Sequence, residues 1–192
     1  MSELRRLVLD PDPRCRSREA GLFLAQIENL HEKLASEIRD ASVEELGWQL
    51  HPGANTMAML ATHVAISEVH LIDVGVRLMA TSDLIGTLGM DETGDGMPLP
   101  AGAPPPAQLA GRTAEELLAL LAKARGHSAH FVAGLAEPDL DRRSERQPAH
   151  GSRYAFNVRW MLHHVQEHLA GHLAQVQLLR TAYRRQEAPT RH

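Results

Sequence analysis

Cysteine, lysine and long apolar runs are nearly missing from this chain, and each absence removes a class of explanation. Among 192 residues there is one cysteine, Cys15. It cannot close an internal disulfide, and its isolation fits a reducing, cytoplasmic setting. Lysine occurs only at Lys33 and Lys123; the other basic residues are arginines scattered along a chain of net charge −4. Without a basic field there is nothing to recruit nucleic acid. No stretch reaches the roughly 18 consecutive apolar residues of a membrane span, so no membrane partner is expected. The opening MSELRRLVLDPDPRCRSREA lacks an apolar core of signal-peptide length and is broken by Pro11 and Pro13. There is also no His-Glu-x-x-His pair, Gly-rich phosphate loop or Ser/His/Asp pattern.

What the chain has in plenty is histidine, 12 of them, spread along it with a cluster near residue 165. Histidine is the commonest metal ligand and also an ordinary polar residue, so position must decide. Residues 1–15 read as an extended arm, because two prolines forbid a stable helix there. From Ser17 to about Asp40, Leu22, Ile27, Leu30, Leu34 and Ile38 recur at helical spacing. Ser42-Val-Glu-Glu45 has the form of a capping box and opens a short turn. His51-Pro52-Gly53 breaks the chain, after which Asn55 or Thr56 can cap a second helix running to about Ala80. That helix is apolar on most faces, which puts it at the centre of a bundle. Residues 81–112 read as a long loop ending in Gly102-Ala-Pro-Pro-Pro106, either a lid or a disordered insertion. Thr113-Ala-Glu-Glu116 is another capping box, opening a third helix to about Leu135. Residues 137–153 are polar, with Pro138, Pro148 and Gly151, and a fourth helix runs from about Ala155 to Arg185. Four long helices with no strand signal predict an all-α four-helix bundle, a single domain over 1–192.

The fourth helix carries the strongest signal, His163-His164-Val-Gln-Glu-His168-Leu-Ala-Gly-His172-Leu-Ala-Gln175. His164, His168 and His172 stand four apart. At about 100° per residue, successive members drift only about 40°, so they share one stripe with Met161, Val165, Gln175 and Leu179. The stripe predicts an inward face, from which His163 points away. Two imidazoles at i and i+4 can chelate one ion, and burying several histidines without a partner is costly. Gly171 and Ala174 leave room for an ion and a substrate. A third ligand must come from another helix. His63 sits mid-way along the second helix among Met59, Ala61, Val64 and Ile66, with His70 the spare candidate two turns on. Glu68 lies about 140° round from His63 and reads instead as an ion pair to a neighbouring helix. A ferritin-like di-iron site needs two Glu-x-x-His motifs, and Glu28-Asn-Leu-His31 has no second copy at a matching place. Asp91-Glu-Thr-Gly-Asp95-Gly96 begins like a calcium loop but has Gly102 where the bidentate Glu belongs. His127 and His130 are assigned to surface or core, and Trp48 and Trp160 to the core or the bundle ends.

Pro52-Gly-Ala-Asn-Thr-Met-Ala-Met-Leu-Ala-Thr-His63-Val-Ala-Ile-Ser-Glu68 resembles the second-helix signature of the DinB/YfiT-like proteins, where a Pro-Gly turn precedes a helix bearing one His and, five residues later, a Glu. Val158-Arg-Trp160 through Gln175 resembles the last helix of that family, whose H-x-x-x-H-x-G-Q pattern falls on His168, His172 and Gln175. The resemblance runs from about residue 17 to 185. It implies a four-helix bundle, often a homodimer, with one Zn²⁺ or Ni²⁺ on His63, His168 and His172. It thereby chooses among candidates that helical geometry leaves open. The chain departs from the pattern at Leu173 and Ala174, where the family often has a basic residue and Gly. It departs again at His70, Leu71 and Ile72, which replace Trp-rich positions.

Three protein ligands with an open position mark a catalytic metal. The mycothiol-dependent relatives imply a metal-dependent enzyme, a hydrolase or a transferase of a low-molecular-weight thiol. Its small-molecule substrate would enter under the 81–112 loop. His164 would support a ligand from behind or relay a proton, and Gln175 would orient a ligand or the facing helix. The alternative is a non-catalytic metal-binding stress-response module or a helical scaffold.

Overall fold

The computed structural model describes residues 8–147 and 151–187. Residues 1–7 of the expected arm and Pro148 of the expected polar loop lie outside them. Residues 8–15 run without helix or strand and are tied back where the Asp12 N–H donates to the Gly21 carbonyl at 3.0 Å.

Helix α1, Arg18–Ile38, begins where Ser17 Oγ accepts the Ala20 N–H, and it buries Leu24, Ile27, His31, Leu34 and Ile38 along one side. Ser42 likewise caps the short α2, Val43–Gly47. Helix α3, Met57–Leu71, is capped by Thr56, whose Oγ1 accepts the Met59 N–H at 3.2 Å, and is buried on nearly every side. The one-turn α4 spans Leu84–Leu88. Helix α5, Ala114–Ala133, opens on a complete Thr113/Glu116 capping box. Strands β1, Arg143–Arg146, and β2, Tyr154–Asn157, form an antiparallel pair with Arg143 opposite Asn157. The long α6, Val158–Glu187, starts where Asn157 Oδ1 accepts the Trp160 N–H at 2.8 Å.

The four long helices form a ring in which α1 packs on α5, α5 on α3, α3 on α6 and α6 on α1. Helices α1 and α3 are therefore diagonal partners. A polar link joins them through the core: His31 Nε2 lies 2.5 Å from Glu68 Oε2, and the Ser128 hydroxyl of α5 donates to Glu68 Oε1 at 2.5 Å. All three side chains are buried. Glu68 thus pairs with His31 of the diagonal helix α1 rather than with a neighbouring one, and takes a hydrogen bond from Ser128 of the neighbouring α5. By length and composition Met57–Val76 could cross a membrane, with a mean hydropathy of 1.3, but 72% of that stretch is buried inside the bundle. It is the core helix.

The structure departs from the sequence reading at four places. The second helix does not continue to Ala80; α3 gives way to a π-helical turn, Ile72–Val76, followed by Leu78 at φ 62°. There the fully buried Asp73 accepts from Arg77 Nη1 at 2.7 Å, His127 Nε2 at 2.8 Å and the Asp83 N–H at 3.1 Å. At Gly75 a Cβ would stand 2.2 Å from Met161 Cγ, so a larger residue there would require the Met161 side chain of α6 to move. Second, the 81–112 segment contains α4 and a 3₁₀ turn, Ala107–Leu109, with Leu84, Leu88 and Leu109 buried. Elements this short give no readable periodicity. Third, the polar segment before α6 holds β1 and β2, so α6 starts at Val158 rather than Ala155. Arg146 anchors β1, its Nη2 donating to the carbonyls of Val74 and Met79 at 2.8 and 2.6 Å. Fourth, Ser42 forms half of the expected box; the Glu45 side chain instead turns inward to Arg180 and Arg184, at 3.5 and 3.4 Å.

Removing Glu68 strands two buried partners at once. Glu68→Ala is expected to lower the unfolding free energy by about 3 kcal/mol, and Ser128→Ala by about 1 kcal/mol. Both should appear as a lower urea midpoint with an unchanged slope.

Candidate metal centre

The α3–α6 groove brings together three imidazoles. His63 comes from the middle of α3; His168 and His172 lie one turn apart on α6. His168 Nε2 is 3.2 Å from His63 Nε2 and 3.1 Å from His172 Nε2. The potential ligand atoms all lie within 4.8 Å of one another. The ring centroids are 4.4 to 5.1 Å apart, with the planes well tilted, so the rings converge edge-on rather than stack.

The outer nitrogens explain why the inner ones face each other. His63 Nδ1–H donates to Asp95 Oδ2 at 2.8 Å, and His172 Nδ1–H donates to Gln175 Oε1 at 2.9 Å. These acceptors fix the proton on Nδ1 and leave a bare lone pair on each Nε2. Two lone pairs then face His168 Nε2, whose single proton satisfies one of them; the Ser67 hydroxyl can donate to His63 Nε2, and a cation among the three nitrogens would take all three lone pairs. Nitrogens around a tetrahedral zinc at about 2.0–2.1 Å stand about 3.3 Å apart. The two separations to His168 Nε2, 3.1 and 3.2 Å, lie close to that spacing, and all three donors lie within 4.8 Å of one another. Ser67 Oγ adds a contact of 3.3 Å to His63 Nε2.

Burial, then the neighbouring His172, His63 and His164, push the His168 imidazole down to about 4. Burial also lowers His172, with His63 adding to it and the Gln175 hydrogen bond opposing it. Both rings are therefore neutral at pH 7, the form that can ligate a metal.

Asp95 is the residue that sequence reasoning missed. It is buried, and its Oδ1 accepts the Met97 N–H at 2.9 Å across a turn made by Gly96 at φ 66°. The acid between two glycines was visible, but it was weighed as part of a calcium loop and not as a carboxylate for a histidine.

The other candidates lie around the cluster. His164 makes no hydrogen bond to the three among the described residues. It stacks on Trp160 with 4.9 Å between centroids and 14° between planes, and its Nδ1 is 3.6 Å from Glu167 Oε2. His70 is exposed, with Nδ1 3.1 Å from Ser82 Oγ. The histidine stripe itself is half-buried at the groove edge, not turned fully inward. Met161, Val165 and Leu179 of that stripe are buried as expected, the core-facing side of α6 continues through Leu162, Leu169, Leu173 and Val176, and Gly171, Ala174 and Gln175 are exposed. Beside the cluster opens a cleft of about 330 Å³, whose lining includes His63, His168, His164, Leu71, Leu84 and Glu92.

The class so defined is a four-helix bundle carrying a three-histidine cluster able to hold a metal ion. Residues 26–176 match the family model described as the DinB superfamily. The chain belongs to that superfamily. Among solved structures, it is similar to the crystal structure of a conserved protein from Enterococcus faecalis, with 15% identity, a TM-score of 0.60, and coverage of 84% of this chain and 94% of that one. At that identity the likeness shows the fold alone. No curated protein matches the chain.

Asp95→Ala is expected to weaken metal binding about 10- to 100-fold, measured by competition with a chromogenic chelator. Acid should act on the metal-free protein as well. His168 sits below its ordinary value of 6.5, so between that value and about 4 the unfolded chain holds more protons than the folded one. Stability is full above this window and falls as pH drops through it. His168→Gln should flatten that part of the Tm-against-pH curve in chelator-treated protein.

Proposed function

We propose that His63, His168 and His172 hold one divalent ion, Zn²⁺ or Ni²⁺, and that the chain is a metal-dependent enzyme, a hydrolase or a transferase of a low-molecular-weight thiol. The observation that carries this reading is the convergence of three Nε2 atoms, 3.1 and 3.2 Å apart, beside an open cleft. An all-nitrogen set of three donors suits these ions and leaves a coordination position for an exogenous ligand. When bound, the ion supplies Lewis acidity, lowering the pKa of a water or thiol brought beside it.

The rest falls to the chain's own residues. Asp95 and Gln175 hold the Nδ1 protons of His63 and His172, so the ligand rings are set before any ion arrives. Ile66, Leu71 and Leu84 keep one side of the cleft dry. The Glu92 carboxylate, in the same lining, takes the proton released by an incoming water or thiol. His164 lines the same cleft, with its Nδ1 3.6 Å from Glu167 Oε2. Leu84 and Glu92 both belong to the 81–112 segment, which supports substrate passage beneath it. A single free cysteine, Cys15, fits a cytoplasmic setting.

Protein purified without an affinity tag should carry about one metal ion per chain by elemental analysis, as a three-donor site requires. His63→Ala should abolish tight binding while His70→Ala keeps it. In cobalt-substituted protein, a small thiol or anion should shift the visible spectrum. A metal-loaded site whose spectrum ignores every such ligand is closed, and the enzyme reading then goes.

A further inference from the structure

The stripe on α6 does not end at the metal cluster. Trp160, His164, His168 and His172 follow one another at four-residue spacing, with centroid separations of 4.9, 6.4 and 4.4 Å. Its two halves differ in kind. His168 and His172 turn ring edges towards a common point, whereas Trp160 and His164 lie nearly parallel, 14° apart. Trp160 continues to Phe156 of β2 at 6.4 Å and Phe156 to Tyr154 at 5.9 Å. Trp160 and Tyr154 are 44% and 45% exposed. Aromatics make up 4% of the chain, so leaving an indole and a phenol half in water, the indole stacked on a histidine that lines the cleft, is a specific use of rare side chains.

The cleft selects by charge as well as by shape. Its lining includes His164, with Leu71, Leu84 and Ile66 as apolar surface, and contains no lysine or arginine; its one carboxylate is Glu92. Glu167 lies beside His164 on the outer side. A negatively charged ring system would meet the Glu92 carboxylate there, with no lysine or arginine in the lining to offset it.

We propose that the Trp160–His164 stack is the seat for a flat aromatic ring of the substrate, uncharged or cationic, whose reacting group points along α6 to the metal. This rests on the metal reading for its direction, but the seat itself stands on the aromatic geometry. A ring laid along the stripe meets His164 and the open side of Trp160 in the offset contacts that aromatic pairs prefer.

Two probes of nearly equal size test planarity: phenylmethanethiol and cyclohexylmethanethiol, titrated into the cobalt-substituted protein. The expected result is about fivefold tighter binding of the aromatic thiol, as one stacking contact supplies. Trp160→Ala should erase that preference and Trp160→Phe should retain most of it. Equal affinities in the unaltered protein, or a preference unchanged by Trp160→Ala, overturn the proposal.

A second measurement does not depend on the metal. In Trp48→Phe protein, Trp160 is the remaining indole, and its emission should change saturably with phenylmethanol but not with cyclohexylmethanol. A response there, without any thiol reaching cobalt, leaves the seat standing and removes the open metal position. Thiol binding without preference, and with silent emission, removes the seat and leaves the metal reading intact.

Discussion

Helix α3 has almost no face in water, and that constraint organises the bundle. Each polar side chain on it must find a partner inside the protein or lose the hydrogen bonds that water would have given. The partners come from different directions. The Thr62 hydroxyl donates to the Ala58 carbonyl of its own helix at 2.8 Å. Glu68 reaches diagonally to α1 and sideways to α5. His63 turns to α6 on one nitrogen and to the 81–112 segment on the other. Just beyond α3, Asp73 gathers Arg77, His127 and the Asp83 N–H. One apolar helix thus carries the few polar contacts that fix how its neighbours sit, and the three-histidine cluster is one of those contacts.

The placement of the cluster at a groove edge follows from the same geometry. The buried side of α6 is filled by leucine and valine, which pack against α3 and α1. His168 and His172 lie just off that side, close enough to the core for burial to keep them neutral and close enough to solvent for a cleft to reach them. A deeper position would close the site, and a more exposed one would let the rings rotate away from a common point.

Much of this was legible in the sequence because it is local. Ser17, Thr56 and Thr113 cap where residue type and spacing place them, and helices long enough to show a 3.6-residue period were found with it. The i, i+4 spacing brought His168 and His172 to one face, and the 140° offset put Glu68 on the other side of α3 from His63. What stayed hidden is tertiary. Asp95 becomes a histidine partner only because the Gly96 turn folds it inward. Strand β1 reads Arg-Ser-Glu-Arg, with no apolar alternation, and is held where Arg146 finds the carbonyls of Val74 in the π-helical turn and of Met79 just after it. Glu45 has the sequence of a capping residue, yet Arg180 and Arg184 draw it away.

The hydrogen bond from His63 to Asp95 has a further consequence. The same carboxylate closes the turn to Met97 and sets the tautomer of a potential ligand. The fold of residues 91–97 and the electron density offered by that imidazole are therefore not independent properties. By thermodynamic reciprocity, an ion that prefers the oriented ring also prefers the closed turn, and a closed turn raises the affinity for the ion by the same factor. A segment far along the chain from α6 would then report, in its own order, whether the groove is filled.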